Sequence, residues 1–213
     1  MSNTRRVQTL YRHLVSSVVE TDNQVATTVS TDDAKDNLGS VTFEDDGKIA
    51  ILTLAAPFMN PDALAFFERK VEEVKRAAQV RCLVIRGTGR SFCAGANFKS
   101  DAAGAQIGSE DTPAPERSFA IYKPFLCLLD VEVPVIAAMN GHAIGGGLGL
   151  AIVCDIRVAH AKSKYGANFT RLGLHPGMAT TYILPRLVGL PRALELLLTG
   201  RRVSRCMSYT YMH

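Results

Sequence analysis

From Pro134 to Cys154 the chain runs through PVIAAMNGHAIGGGLGLAIVC without one formally charged side chain, about the length a membrane-spanning helix requires. Such a stretch must be buried somewhere, in lipid or in a protein core. Asn140-Gly141 is a turn signal, His142 follows it, and Gly145, Gly146 and Gly147 stand in a row. These breaks predict a buried strand over Val133 to Ala138, a turn, and a helix through Leu148 to Val153, which sets the membrane reading aside.

The flanking sequence has the same rhythm. VTFEDDGKIAILTL reads as two strands broken at Asp46-Gly47. In PDALAFFERKVEEVKRAA, Leu64, Phe67, Val71, Val74 and Ala78 recur at helical spacing behind Pro61, which suits a first turn. Cys82 to Ile85 is continuously apolar, as expected of a strand in a sheet covered by helices on both faces. A helix over Phe119 to Leu129 and a strand over Ile156 to Ala159 continue the alternation, and PRALELLLTG closes it with Pro191 at a helix start and Gly200 at its end. Residues 41–204 therefore form one α/β domain. Residues 1–40 read as a flexible N-terminal segment, since QVATTVSTDDAKDNLGS is too poor in large apolar groups to offset the entropy of ordering. RCMSYTYMH has no clear period, which leaves residues 205–213 an unassigned tail. SDAAGAQIGSEDTPAPERS, small and acidic, reads as a mobile loop.

Composition narrows the partners. The net charge of +4 comes without a basic run, which argues against nucleic acid and leaves room for an anionic ligand. Cys82, Cys93, Cys127, Cys154 and Cys206 stand apart with no metal-ligand spacing, and read as reduced thiols of an intracellular protein with no metal. Cys93, beside a glycine turn, is a nucleophile candidate with no visible activating base. RVQTLYRHLVSSVV could wind into a basic amphipathic helix similar to a mitochondrial transit peptide, with a disordered start as the alternative; the expected compartment is mitochondrial or cytoplasmic.

Two motifs carry chemistry. In SFCAGANFK, Ala94, Gly95 and Ala96 let a ligand approach the backbone closely after the Cys82 to Ile85 strand. In NGHAIGGGLGLA, three glycines follow a second strand and precede a helix, offering unpaired N–H groups at the positive end of its dipole. Either alone is commonplace, a tight turn and nothing more. Together, and followed by CDIRVA and YGANFTRLGLHPGM, they resemble the crotonase (enoyl-CoA hydratase/isomerase) superfamily from about Val41 to Ser204.

The resemblance implies a spiral of repeated ββα units with mostly parallel strands. It also implies an acyl-CoA thioester as substrate, with no permanently bound cofactor. Its carbonyl oxygen would lie between the N–H groups of Ala96 and Gly146, which would stabilise the enolate formed in hydration, isomerisation or decarboxylation. Contacts to coenzyme A would fall on Ala94, Ala96, Asn97 and Phe98, with Asn97 in place of the usual aspartate. Family members continue into a helical segment that closes the acyl pocket and helps build trimers. That C-terminal segment is missing here, so a homo-oligomer is expected if it is supplied, and an exposed apolar surface if it is not.

The chain also departs from the family where hydratases resemble one another most. Gly149 and Phe169 stand at the positions of the two glutamates that activate water and protonate carbon. Neither moves a proton, and positioned acid–base groups typically contribute ~10²–10⁴-fold each. His175, in GLHPGM, is the candidate substitute, against a structural reading as a buried or capping residue. His142 is the poorer candidate; Asp101, Glu110 and Arg171 read first as solvated surface charges. Two functions stay open: an enzyme acting on acyl thioesters through an enolate, and a noncatalytic thioester-binding or oligomer-forming subunit.

Overall fold

A computed structural model describes residues 38–55, 59–96 and 114–204 of the chain. The hairpin forms as the sequence predicts: β1 (Gly39–Glu44) pairs antiparallel with β2 (Ile49–Leu54). Asp45, Asp46 and Gly47 make the turn with φ of 50°, 55° and 81°, and aspartate and glycine are the residue types that accept such backbone at small cost. Helix α1 (Pro61–Arg76) starts where Asn60 accepts a 2.7 Å hydrogen bond from the Ala63 N–H, with Pro61 in the first turn. Its buried stripe holds Leu64, Phe67, Val71 and Val74 as spaced, together with Phe66 and the Lys70 stem. The helix ends at Arg76 because Ala77 turns extended, so Ala78 lies outside it.

β3 (Cys82–Gly87) and β4 (Ser91–Cys93) follow, then α2 (Ala114–Leu126) and a short 3-10 turn, Cys127–Asp130. The segment that reads as one helix from Phe119 to Leu129 thus starts earlier and tightens at its end. β5 (Val135–Met139), β6 (His142–Ile144) and α3 (Gly146–Val153) come from the uncharged stretch. It is strand, turn, strand and helix, and no described helix is long and apolar enough to cross a membrane. β7 (Ile156–Ala159), β8 (Lys164–Gly166), a 3-10 turn at Asn168–Leu172, α4 (Thr180–Val188), α5 (Leu190–Thr199) and β9 (Val203–Ser204) complete the order.

The strands divide between two sheets in the order β1-β2-β3-β5-β7 and β4-β6-β8-β9. Within the first, β2, β3, β5 and β7 run parallel; within the second, β4, β6 and β8 do. Each successive pair, β3/β4, β5/β6 and β7/β8, therefore gives one strand to each sheet before the chain moves on. This is the spiral of repeated ββα units in a mixed α/β fold. The main core lies on one face of the larger sheet and joins Leu52, Leu83, Ile85, Ala137 and Met139 to Phe67, Phe92, Leu148 and Leu150. The alternate residues of the same strands, Ile51, Val84 and Ile136 among them, form a second cluster contributed by strands alone. Both faces of β3 are buried, which is why its sequence is continuously apolar.

Two polar side chains fix how the repeats stack. Asn140, 6% exposed, accepts a 3.0 Å hydrogen bond from Gly87 N–H and donates at 3.2 Å to Gly89 O, tying the end of β5 to the β3–β4 turn. Asp155 accepts from Val135 N–H at 2.8 Å and so ties the start of β5 to the approach of β7.

Candidate active site

The two glycine motifs meet. Gly95, in the turn after β4, has φ of +78°, and a Cβ placed on it would lie 2.8 Å from Ile144 O and 3.2 Å from Gly146 N. A side chain at position 95 would occupy the space between the turns as well as strain its own backbone, so glycine is required there twice over. Gly147 is as tightly held, since its Cβ would fall 2.0 Å from Cys93 O. The start of α3 is thus pressed against the end of β4 by backbone contact alone.

Gly145 caps α3 with φ 57° and ψ −121°, and Gly146 is its first helical residue. N–H groups in a helix's first turn lack an intrahelical partner and lie at the positive end of its dipole. Among the described residues, neither Ala96 N–H nor Gly146 N–H donates to a loop carbonyl. Ala96 is half-buried beside buried Gly95, and Ala94 is half-buried before it. Met59 and Tyr122 close over the tip: a Cβ on Gly146 would meet Met59 Sδ at 2.9 Å and Tyr122 Cε1 at 3.6 Å. Met59 is itself anchored, its N–H donating to Gly95 O at 3.0 Å. Beside them lies an apolar pocket lined by Met59, Leu64, Phe67, Cys93 and Phe125, a lining suited to a hydrocarbon chain.

The positions where hydratase glutamates are expected hold no proton carrier and no vacant space. A Cβ on Gly149 would lie 2.3 Å from Met178 Cβ, and Phe169 is 4% exposed in the core. His175 is exposed in the loop that follows the Asn168–Leu172 turn. His142 serves structure: its Nδ1 accepts Lys164 N–H at 3.0 Å across the β6–β8 seam. Its pKa is lowered first by burial and then by Arg90, Lys164 and Arg202. Arg171 donates to Thr199 O at the end of α5. The Cys93 thiol is buried and pushed up to about 11 by desolvation, the opposite of what an activated nucleophile needs. Asn97, Phe98, Asp101 and Glu110 lie outside the described residues.

Tyr122, Met59 and Met178 carry no signal in the sequence that separates them from ordinary core side chains. Each gains its place at the site from elements distant in the chain.

Comparison with known proteins agrees with this geometry. The sequence matches the family Enoyl-CoA hydratase/isomerase over residues 45–206. It is 36% identical over 161 residues to a putative enoyl-CoA hydratase/isomerase, YngF, of Bacillus subtilis, covering 73% of this chain and 60% of that protein. It is 34% identical over 173 residues to the short-chain-enoyl-CoA hydratase of Clostridium acetobutylicum, covering 78% and 64%. The fold superposes on the crystal structure of an enoyl-CoA hydratase from Bacillus anthracis with a TM-score of 0.73 at 30% identity, over 82% of this chain and 67% of the other. A putative enoyl-CoA hydratase from Streptomyces coelicolor gives 0.74 at 29% identity, over 90% and 69%. The chain spans about 60% of the length of the curated relatives it matches first. Two ββα turns brought tip to tip, on a fold and a sequence shared with these proteins, mark the chain as a member of the enoyl-CoA hydratase/isomerase family.

Proposed function

We propose that this chain binds an acyl-CoA thioester with its carbonyl oxygen between the N–H groups of Ala96 and Gly146 and stabilises the enolate form of that thioester. The observation that carries this reading is the close packing of the two turns, where a Cβ on Gly95 would stand 2.8 Å from Ile144 O and 3.2 Å from Gly146 N. Charge developing on the oxygen is met by fixed donors and by the dipole of α3, which do not reorganise as the reaction proceeds. Ala94, Ala96, Asn97 and Phe98 supply the contacts to coenzyme A. The curated relative from Clostridium is named for the hydration of short-chain enoyl-CoA. Addition of water needs both a base and an acid. With Gly149 and Phe169 at the two glutamate positions, the chemistry favoured here is loss of CO2 from a malonyl-type thioester, which generates the enolate without a base.

The test is Gly146→Pro. Proline lacks the N–H but is tolerated at the first position of a helix, and Gly146→Ala, which sets the same Cβ against Met59 Sδ while keeping the N–H, separates donor loss from crowding. Turnover of the better of crotonyl-CoA and malonyl-CoA should fall by about 10²–10³-fold, as for loss of one oxyanion donor. Unchanged turnover refutes the reading.

A second reading, a thioester-binding subunit without catalysis, is favoured by Met178 filling the space beside Gly149. Calorimetric binding of coenzyme A thioesters with no turnover of either substrate selects it.

A further inference from the structure

Among the described residues, Met59 and Tyr122 supply the side-chain atoms nearest to a Cβ on Gly146, and of the two only tyrosine carries a transferable proton. Its ring spans the site. Cε1 lies 3.6 Å from the position a Cβ on Gly146 would take, while Cε2 and Oη lie 2.3 and 2.7 Å from the corresponding position on Gly177. Gly177 precedes Met178, the residue that fills the space beside Gly149. Absence of a side chain at 177 is therefore what admits the phenol, just as Met178 excludes a carboxylate from 149.

The ring is held by packing, yet the hydroxyl is uncommitted: Tyr122 makes no hydrogen bond to another described residue. Its oxygen is also absent from the buried polar atoms that lack a partner, which are Thr170 Oγ1 and Arg201 Nε among the described residues. A half-buried phenol whose ring edge lies beside the first residue of α3, with its free hydroxyl toward Gly177, is placed to meet a ligand held between the two.

We propose that Tyr122 is the proton donor of this site, delivering its phenolic proton to the α carbon of a thioester enolate held at Gly146. The assignment rests on the thioester reading above and supplies the acid that Gly149 and Phe169 cannot. In decarboxylation the bond from Cα to the carboxylate breaks, its electron pair passes into the thioester carbonyl as the enolate, and CO2 leaves. The enolate carbon then takes the proton from Oη, the carbonyl re-forms, and the phenolate recovers a proton from solvent water. Burial raises the phenol above its ordinary value, so the hydroxyl holds its proton throughout the neutral range and acts as acid, not base.

The experiment uses the full chain, wild type and Tyr122→Phe, which retains the ring against Gly146 and Gly177. Binding of a coenzyme A thioether, unable to react, is measured first by calorimetry. Decarboxylation of malonyl-CoA and of its α-methyl derivative is then followed in D2O. The expected result is equal thioether affinity, an equal melting temperature, and a fall of about 10²-fold or more in the rate of product formation for Y122F. Wild type should label the α carbon of the methyl-bearing product on one face, and the residual reaction of Y122F should label both faces as water replaces the phenol. A merely structural role for the ring would not change facial selectivity. Equal rates in the two proteins, labelling of both faces by wild type, or thioether binding without any turnover would each overturn the assignment while leaving thioester binding intact. Absence of thioether binding by wild type would instead overturn the thioester reading, and the role of Tyr122 with it.

Discussion

At Gly149 the nearest neighbours are Met178 Cβ, 2.3 Å from where a Cβ would stand, and Met178 Cγ at 2.8 Å. The backbone of Met178 is itself in the left-handed region, with φ of 56°, so that side chain is held where it is by an unusual turn and cannot swing away at small cost. Restoring a glutamate by Gly149→Glu should therefore yield no hydratase. Overpacking of this kind costs about 1–3 kcal/mol, and the expected outcome is a melting temperature lower by roughly 5 °C with crotonyl-CoA hydration still at background. Scanning fluorimetry and an absorbance assay check both halves. Hydration gained without loss of stability would show the site to be more open than the contacts with Met178 imply.

Among elements, the β6–β8 seam carries a titratable clamp. Neutral His142 accepts the Lys164 N–H through Nδ1, and protonation would turn that acceptor into a donor facing another donor. Burial and the nearby Arg90, Lys164 and Arg202 lower its pKa below 6.5. A depressed folded-state pKa means that the stabilisation is present above the unfolded value and is lost as pH falls through the folded value. Thermal stability should thus decline as pH is lowered from about 7.5 to 5, and less steeply in His142→Asn, whose side-chain oxygen accepts at any pH. The seam matters to the site because β6 leads directly into Gly145 and α3. Equal slopes for the two proteins would assign the acid sensitivity elsewhere.

For the molecule as a whole, the outer surface of α5 stands out. Leu190, Leu194 and Leu198 recur every four residues and are 59%, 44% and 69% exposed, with Tyr182 of α4 at 61%. Spacing of four places the three leucines on one helix face, flanking the buried Ala193, Leu196 and Leu197. A contiguous exposed apolar patch promotes association. The chain should sediment as concentration-dependent species, and Leu194→Gln with Leu198→Gln should shift it toward monomer with its melting temperature within about 1 °C, since exposed substitutions change stability little. Analytical ultracentrifugation decides between that outcome and association through some other surface.

The order of long elements was legible because each writes its period locally. The stripe of α1, the apolar run of β3, the strand Ile156–Ala159 and the proline and glycine bounding α5 depend on neighbours within a few residues. The two glycine turns were legible for the same reason, since glycine beside a strand end is a local requirement, and the resemblance joined them. The second sheet was not legible. Its strands β4, β6 and β8 are three residues each, too short for any periodicity, and they exist because the repeats stack and pair them. The surroundings of Gly146 were decided at the same level: Met59 comes from the approach to α1, Tyr122 from α2, and the Met178 that seals Gly149 from the loop before α4. Sequence alone determined where the glycine turns fall and which acids are absent from positions 149 and 169, because those are properties of residue type and local turn. Tertiary structure decided which side chains stand over those turns, because such contacts join parts of the chain that no local pattern relates.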